Sequence, residues 1–170
     1  MYSVIENFIN EQDFDSIVDI VSNKEFPWYA YDRANNASKF GEFHFMHHLY
    51  NNGKIVSDKK FILNILANKL SEFYKKDIEI IRARVNLFTI SEKNKELGFH
   101  QDIDDSKEFQ VLLLYLQDSN GYTQFKNGEK INSIKNRALI FNANEEHQTV
   151  TQTDVVFRTN INFNFRIINE

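Results

Sequence analysis

Residues 155–167 read VVFRTNINFNFRI. Odd positions carry Val155, Phe157, Thr159, Ile161, Phe163, Phe165 and Ile167, while the even ones include Arg158, Asn160, Asn162, Asn164 and Arg166. Successive side chains on a strand point to opposite faces, so this period of two predicts a strand with one apolar and one polar face. Two architectures accommodate it. Either the odd face is core and the even face meets solvent, or the odd face packs under helices and the even face lines a polar cavity inside a barrel.

Upstream, other short runs rich in β-branched and aromatic residues predict strands at 79–90 (EIIRARVNLFTI), 109–117 (FQVLLLYLQ), 122–126 and 137–142, with the last strand at 154–168. Asp118 to Gly121 and the pair Asn127-Gly128 supply the turn chemistry between them. Before residue 79 the period is helical. Phe14, Ile17, Val18 and Val21 follow Asn10, a capping residue, and predict a helix near 11–23. Phe61, Ile62, Ile65, Leu66, Leu70 and Phe73 form a stripe that predicts a second helix over 57–75, opened by Ser57 and Asp58, with Lys59, Lys60 and Lys69 on its solvated side. Helices first and strands after imply a mainly β fold: an antiparallel sandwich or barrel with helices packed on one sheet. The expected division is a helical and irregular part, 1–78, and a β core, 79–168, in one domain of 1–170.

The chain has 170 residues, a formal charge of −4, 16 Phe and no Cys. Its length allows a sizeable core. Its charge gives no general attraction to nucleic acid, and without Cys any metal must be held by His, Asp or Glu. No apolar stretch approaches a membrane span and the N-terminus has no secretory pattern, so the expected location is the reducing cytoplasm.

In His100-Gln101-Asp102 the two outer side chains are separated by one residue, so on an extended segment both point the same way. His147 follows His100 by 47 positions (147 − 100), close only if the fold joins distant strands. Two imidazoles and one carboxylate form the facial triad of non-haem Fe(II) oxygenases. Alone, His-x-Asp is more often a surface pair. Its context adds Arg158 on the polar face of the last strand, a planar cation suited to a carboxylate, with Asn160 one pleat further on. Arg84 and Asn86 share one face of their strand and can reach the same cavity. His44, His47 and His48 crowd together without the carboxylate spacing of a zinc motif and fit a loop or pocket wall. Trp28 and Tyr29, after Pro27, fit a loop anchor better than a lid.

FHQD (99–102), VLLLYLQDSNGYTQF (111–125), NRALIFNANEEHQTV (136–150) and FRTNINFNF (157–165) follow one another in an order that resembles the core of the prolyl-4-hydroxylase-like Fe(II)/2-oxoglutarate dioxygenases. The resemblance covers about half the chain. FPWYA (26–30) and FHFMHHLYN (43–51) also resemble small bacteriophage members. The resemblance implies a double-stranded β-helix (jelly roll), with His100, Asp102 and His147 as iron ligands and catalytic centre, and Arg158 as the 2-oxoglutarate salt-bridge partner. Tyr115 matches a tyrosine that binds the same carboxylate; a packed aromatic is the equal alternative. Gly121 and Thr123 match a Gly-x-Thr element with a turn and packing role. A Pro and a Gly common before strand 137–142 are replaced here by Ile134 or Lys135 and by Asn136, which bears on the local turn.

The implied reaction takes Fe(II), 2-oxoglutarate and O2, with ascorbate as an optional addition, and couples loss of CO2 to hydroxylation of an unactivated C–H bond. The family favours a prolyl residue of a peptide or protein; a small molecule or nucleobase stays open, as does the oligomeric state. The rival reading is a non-catalytic jelly-roll binding module, which predicts an exposed even face on the last strand. A structural zinc site is a third reading, and it leaves Arg158 without a purpose.

Overall fold

The computed structural model describes residues 2–39, 41–103 and 108–168. Its elements are β1 (Tyr2–Ile5), α1 (Glu11–Ser22), β2 (Tyr29–Tyr31), β3 (His44–Asn51), β4 (Lys54–Ile55), α2 (Lys60–Tyr74), β5 (Ile78–Thr89), β6 (Phe109–Tyr115), β7 (Ser119–Phe125), β8 (Lys130–Ser133), β9 (Ala138–Asn142), β10 (His147–Val150) and β11 (Phe157–Ile167). The large sheet runs β1-β9-β6-β11-β5-β3-β2, with β4 on β3, and the small one runs β10-β7-β8. Every pairing is antiparallel. This is the mainly β fold expected, with both helices on one sheet.

β11 lies between β5 and β6, and its two faces do different work. Ile161, Phe163 and Phe165 sink into a core with Ala83, Val85, Leu112 and Leu114, beneath Phe14 and Ile17 of α1 and Ile62, Leu66 and Leu70 of α2. On the opposite face Arg158, Asn160, Asn162 and Asn164 are only 1, 4, 3 and 0% exposed. The even face therefore lines the interior between the sheets, which removes the exposed polar face required by the binding-module reading.

Asn10 caps α1 by accepting from the Asp13 amide (2.9 Å), as its position predicts. α2 starts later than expected, at Lys60, because Ser57 accepts from the Lys59 amide and caps the turn before it. In α2 the buried stripe is Ile62, Leu63, Leu66 and Leu70, whereas Phe61 and Phe73 stand 45 and 49% exposed. The first 78 residues are less helical than expected. They contribute four strands, of which β3 joins the large sheet through β5 and β1 joins it through β9. The turn before β9 works without Gly: Asn136 takes φ +57°, and its amide side chain accepts from Ile9 N–H (3.1 Å) and donates to Ile9 C=O (2.7 Å). Asn127-Gly128 makes the β7–β8 hairpin, with Gly128 at φ +93°. Among the described residues no helix is long and apolar enough to cross a membrane.

Candidate active site

The segment before Asp102 runs beside β10. Bridges join Glu96 to Val150 and His100 to His147. The register slips by one residue between these bridges, and there Gly98 takes φ +86°; a Cβ on it would meet the Ala37 carbonyl oxygen at 2.8 Å. His100 N–H donates to His147 C=O (2.9 Å) and His147 N–H to His100 C=O (3.0 Å). Two residues that exchange both backbone bonds put their side chains on the same face. The imidazole centroids lie 4.5 Å apart as a result.

Backbone carbonyls occupy the Nδ1 side of both rings, Glu145 O at 3.0 Å from His147 and Gly98 O at a looser 3.4 Å from His100. With the proton on Nδ1, each Nε2 lone pair is left for a ligand. Burial, and then the neighbouring His147, lower the His100 pKa to about 4, so its ring is neutral at pH 7. His147 Nε2 stands 3.8 Å from Asp102 Oδ2. That is too long for a hydrogen bond, yet within the roughly 4 Å that two ligands of one ion can span at about 2.1 Å each. The three groups are not drawn together into a closed cluster.

Asp102 has a side chain only 1% exposed, and both its oxygens are held. Arg82 Nη donates to Oδ1 (2.9 Å) and Asn162 Nδ2 to Oδ2 (2.9 Å), with Arg84 further off at 3.8 Å. Burial would raise the Asp102 pKa, but His147, Arg84 and Arg82 outweigh it and hold the group at about 2. Two imidazole nitrogens and one fixed carboxylate, with no thiolate in the chain, make a donor set that fits Fe(II).

A narrow cavity opens from these residues, walled by His44, Arg84, Asn86, Phe88, Leu113 and Asn160 among others. Arg84 and Asn86 reach it, as their strand face predicts. β5 and β11 cross it in register, Arg158 opposite Phe88, Asn160 opposite Asn86, Asn162 opposite Arg84 and Asn164 opposite Arg82. Arg158 lies four residues from Asn162, about 13 Å along the strand. Its Nε donates to Gln152 Oε1 (3.3 Å), its Nη to Val150 C=O (3.2 Å), and its guanidinium sits 5.0 Å above the Phe88 ring. Among the described residues no carboxylate lies within 4 Å of it. Burial lowers its pKa to about 10, which leaves it charged. Gly121 makes room for it, since a Cβ there would meet Arg158 Nε at 2.8 Å. Tyr115 is fully buried in the apolar cluster with Val111, Leu113 and Leu139, and its hydroxyl donates to Thr123 (2.7 Å). Asn160 accepts from Asn86 Nδ2 at 2.9 Å.

The three clustered histidines separate. His44 walls the cavity, but on a strand rather than a loop, and His47 faces the helices, bonded to Pro27 O (2.8 Å) and Ser57 Oγ (2.7 Å). Trp28 packs on Phe26 as a loop anchor, 4.7 Å between rings. Sequence reasoning missed Arg82, although it shares the polar face of β5 with Arg84 and Asn86.

Neither a described family nor a curated protein matches this sequence. Solved structures do match its shape. A 2OG-Fe(II) oxygenase family oxidoreductase from Burkholderia pseudomallei superposes with a TM-score of 0.72 at 10% identity, over 97% of this chain and 85% of that one. A viral collagen prolyl hydroxylase from Paramecium bursaria Chlorella virus-1 gives 0.64 at 14%, over 98% and 96%. A non-heme alpha-ketoglutarate-dependent epimerase from nogalamycin biosynthesis gives 0.68 at 9%, over 97% and 76%. The fold of this chain is that of the 2-oxoglutarate/Fe(II) oxygenases.

Proposed function

We propose that this chain is an Fe(II)- and 2-oxoglutarate-dependent dioxygenase that hydroxylates an unactivated C–H bond, with His100, Asp102 and His147 as metal ligands. The observation that carries the reading is one buried polar face, shared by β5 and β11, with two unlike ends. At one end stand His100, His147 and a fixed carboxylate beside a narrow cavity; further along the strand, outside that cavity's lining, is the buried cation Arg158, with no carboxylate partner among the described residues. A buried, unpaired charge is costly, and a dicarboxylate bound between the two ends relieves it.

Together, bound iron and 2-oxoglutarate supply the oxidising chemistry: with O2 the cosubstrate becomes succinate and CO2, and the second oxygen atom enters the substrate C–H bond. The protein side chains bind and orient. Arg158 holds the distal carboxylate in its planar fork, and the Tyr115 hydroxyl, bonded to Thr123 in the free chain, assists it by turning from that partner. Asn160 and Asn86 line the passage between. Arg82 and Asn162 keep Asp102 ionised and aimed, while Phe88 and Leu113 exclude water. A prolyl residue in a peptide is the first substrate to try, supported by the motif order and the viral prolyl hydroxylase's fold. The epimerase with the same fold shows why the substrate needs its own test.

The test is anaerobic titration of the apo protein with Fe(II) and 2-oxoglutarate, following the visible charge-transfer band. The band should need both additions, vanish in His100→Ala, and require at least about tenfold more 2-oxoglutarate in Arg158→Ala. A wild-type protein with no band and no 2-oxoglutarate-dependent iron binding would sink the assignment.

A further inference from the structure

Buried polar side-chain atoms without a hydrogen-bond partner are few in folded proteins, and each needs a reason. Seven occur among the described residues: His44 Nδ1, His48 Nδ1, Arg84 Nε, Asn86 Oδ1, Ser119 Oγ, Asn162 Oδ1 and Asn164 Nδ2. All but Ser119 sit on the polar face formed by β3, β5 and β11, where His48 pairs with Arg84 and Arg84 with Asn162. Arg84 is at the centre. Its Nε has no partner, its side chain is 15% exposed, and its Nη stands 3.8 Å from an Asp102 oxygen that Arg82 already binds at 2.9 Å. Two arginines thus face a single described carboxylate, and a metal on Asp102 would compete for that charge too. His44, 1% exposed, stacks on Phe88 at 5.5 Å and contributes an unpartnered nitrogen to the same cavity. Burial and the charge of Arg84 lower the His44 pKa to about 4, so Arg84 is the cation of this pair.

The register separates this cation from the other one. Arg158 and Arg84 stand at levels about 13 Å apart along β11, with the Asn160–Asn86 pair between them. Resting on the function proposed above, we infer that Arg84 is a specificity-determining residue that receives an anionic group, a carboxylate or a phosphate, of the primary substrate, with His44 offering a further hydrogen bond. The substrate class is thereby acidic: charge and fork geometry reward an anion beside the metal end, and a neutral isostere leaves the guanidinium sharing Asp102 with Arg82 and its Nε without an acceptor.

Isothermal titration calorimetry on the anaerobic Fe(II)·2-oxoglutarate complex tests this. The probes are N-acetyl-aspartyl amide against N-acetyl-asparaginyl amide, which differ by one charge at the same shape, and inorganic phosphate as the second anion source. Wild type should bind the acid at least about tenfold tighter than the amide, and Arg84→Gln should bring the ratio close to one. Arg84→Lys, which keeps the charge and loses the fork, should give an intermediate ratio, and in both variants any loss of 2-oxoglutarate affinity, which acts on both probes alike, should be smaller than the loss of acid affinity. Phosphate binding tighter than the acid identifies the anion as a phosphate. Equal binding of acid and amide by wild type overturns the inference without reference to any variant's folding. So does a preference that survives in Arg84→Gln, or a loss of 2-oxoglutarate affinity as large as the loss of acid affinity, which would assign Arg84 to the cosubstrate. Failure of wild type to bind 2-oxoglutarate at all strikes the proposed function itself and is read separately from the charge-transfer band.

Discussion

The two faces of β11 share one backbone and contrast in every other respect. Ile161, Phe163 and Phe165 point at the helices and are all 0% exposed among other apolar groups. Asn162 and Asn164, interleaved with them, are as deeply buried but hold unpartnered polar atoms. Burial alone therefore does not distinguish core from site; what distinguishes them is whether the buried atoms are satisfied within the chain. The apolar face lowers the free energy of folding. The polar face raises it, and residues that cost stability persist where something outside the chain is to be bound.

Breaking the apolar face should give the largest effect. Phe163→Ala removes a fully buried ring from the layer between β11 and the helices, for a loss of about 3–5 kcal/mol in urea-induced unfolding. The polar face should respond in the opposite sense. Asn162→Ala removes the amide that holds Asp102 Oδ2 at 2.9 Å, so Fe(II) affinity should fall by roughly 10–100-fold, as for other residues that orient a metal ligand. The same change should alter the unfolding midpoint of the apo protein far less than Phe163→Ala does. An Asn162→Ala protein with unchanged iron affinity would detach this face from the metal.

The contrast is legible in VVFRTNINFNFRI alone, because a period of two is written directly in side-chain polarity. The same applies to β5, where Arg82, Arg84 and Asn86 alternate with Ala83, Val85 and Leu87. What the period does not say is whether the polar face meets water or a cavity, since that depends on the small sheet folding over it. β3 is hidden for a related reason: in HFMHHLYN both faces are buried, His44 and Met46 toward the cavity and His47 and Leu49 toward the helices, so no alternation appears. β8 and β10, four residues each, are too short for a period to emerge. The spacing of His100 and Asp102 is legible locally. The partnership with His147 needs the backbone pair that Gly98 makes possible, and a long-range pair leaves no local signature.

Tyr115 sits on the boundary between the two behaviours and sharpens the contrast most finely. Its ring belongs to the apolar cluster between the sheets, yet its hydroxyl bonds Thr123, the cross-strand partner of the cavity-lining Thr149. Burial raises its pKa to about 12, from an ordinary value of 10. In that window the folded chain keeps a proton that the unfolded chain has lost, so stability present below pH 10 should drain away as pH rises toward about 12. Tyr115→Phe, which has no proton to lose, should flatten that part of the alkaline unfolding curve. At pH 7 the variant should lose only about 1 kcal/mol, the scale of one neutral hydrogen bond. Its 2-oxoglutarate affinity then decides which face owns the residue. A several-fold loss makes the hydroxyl part of the binding site, whereas unchanged affinity beside a flattened alkaline curve makes Tyr115 a core residue.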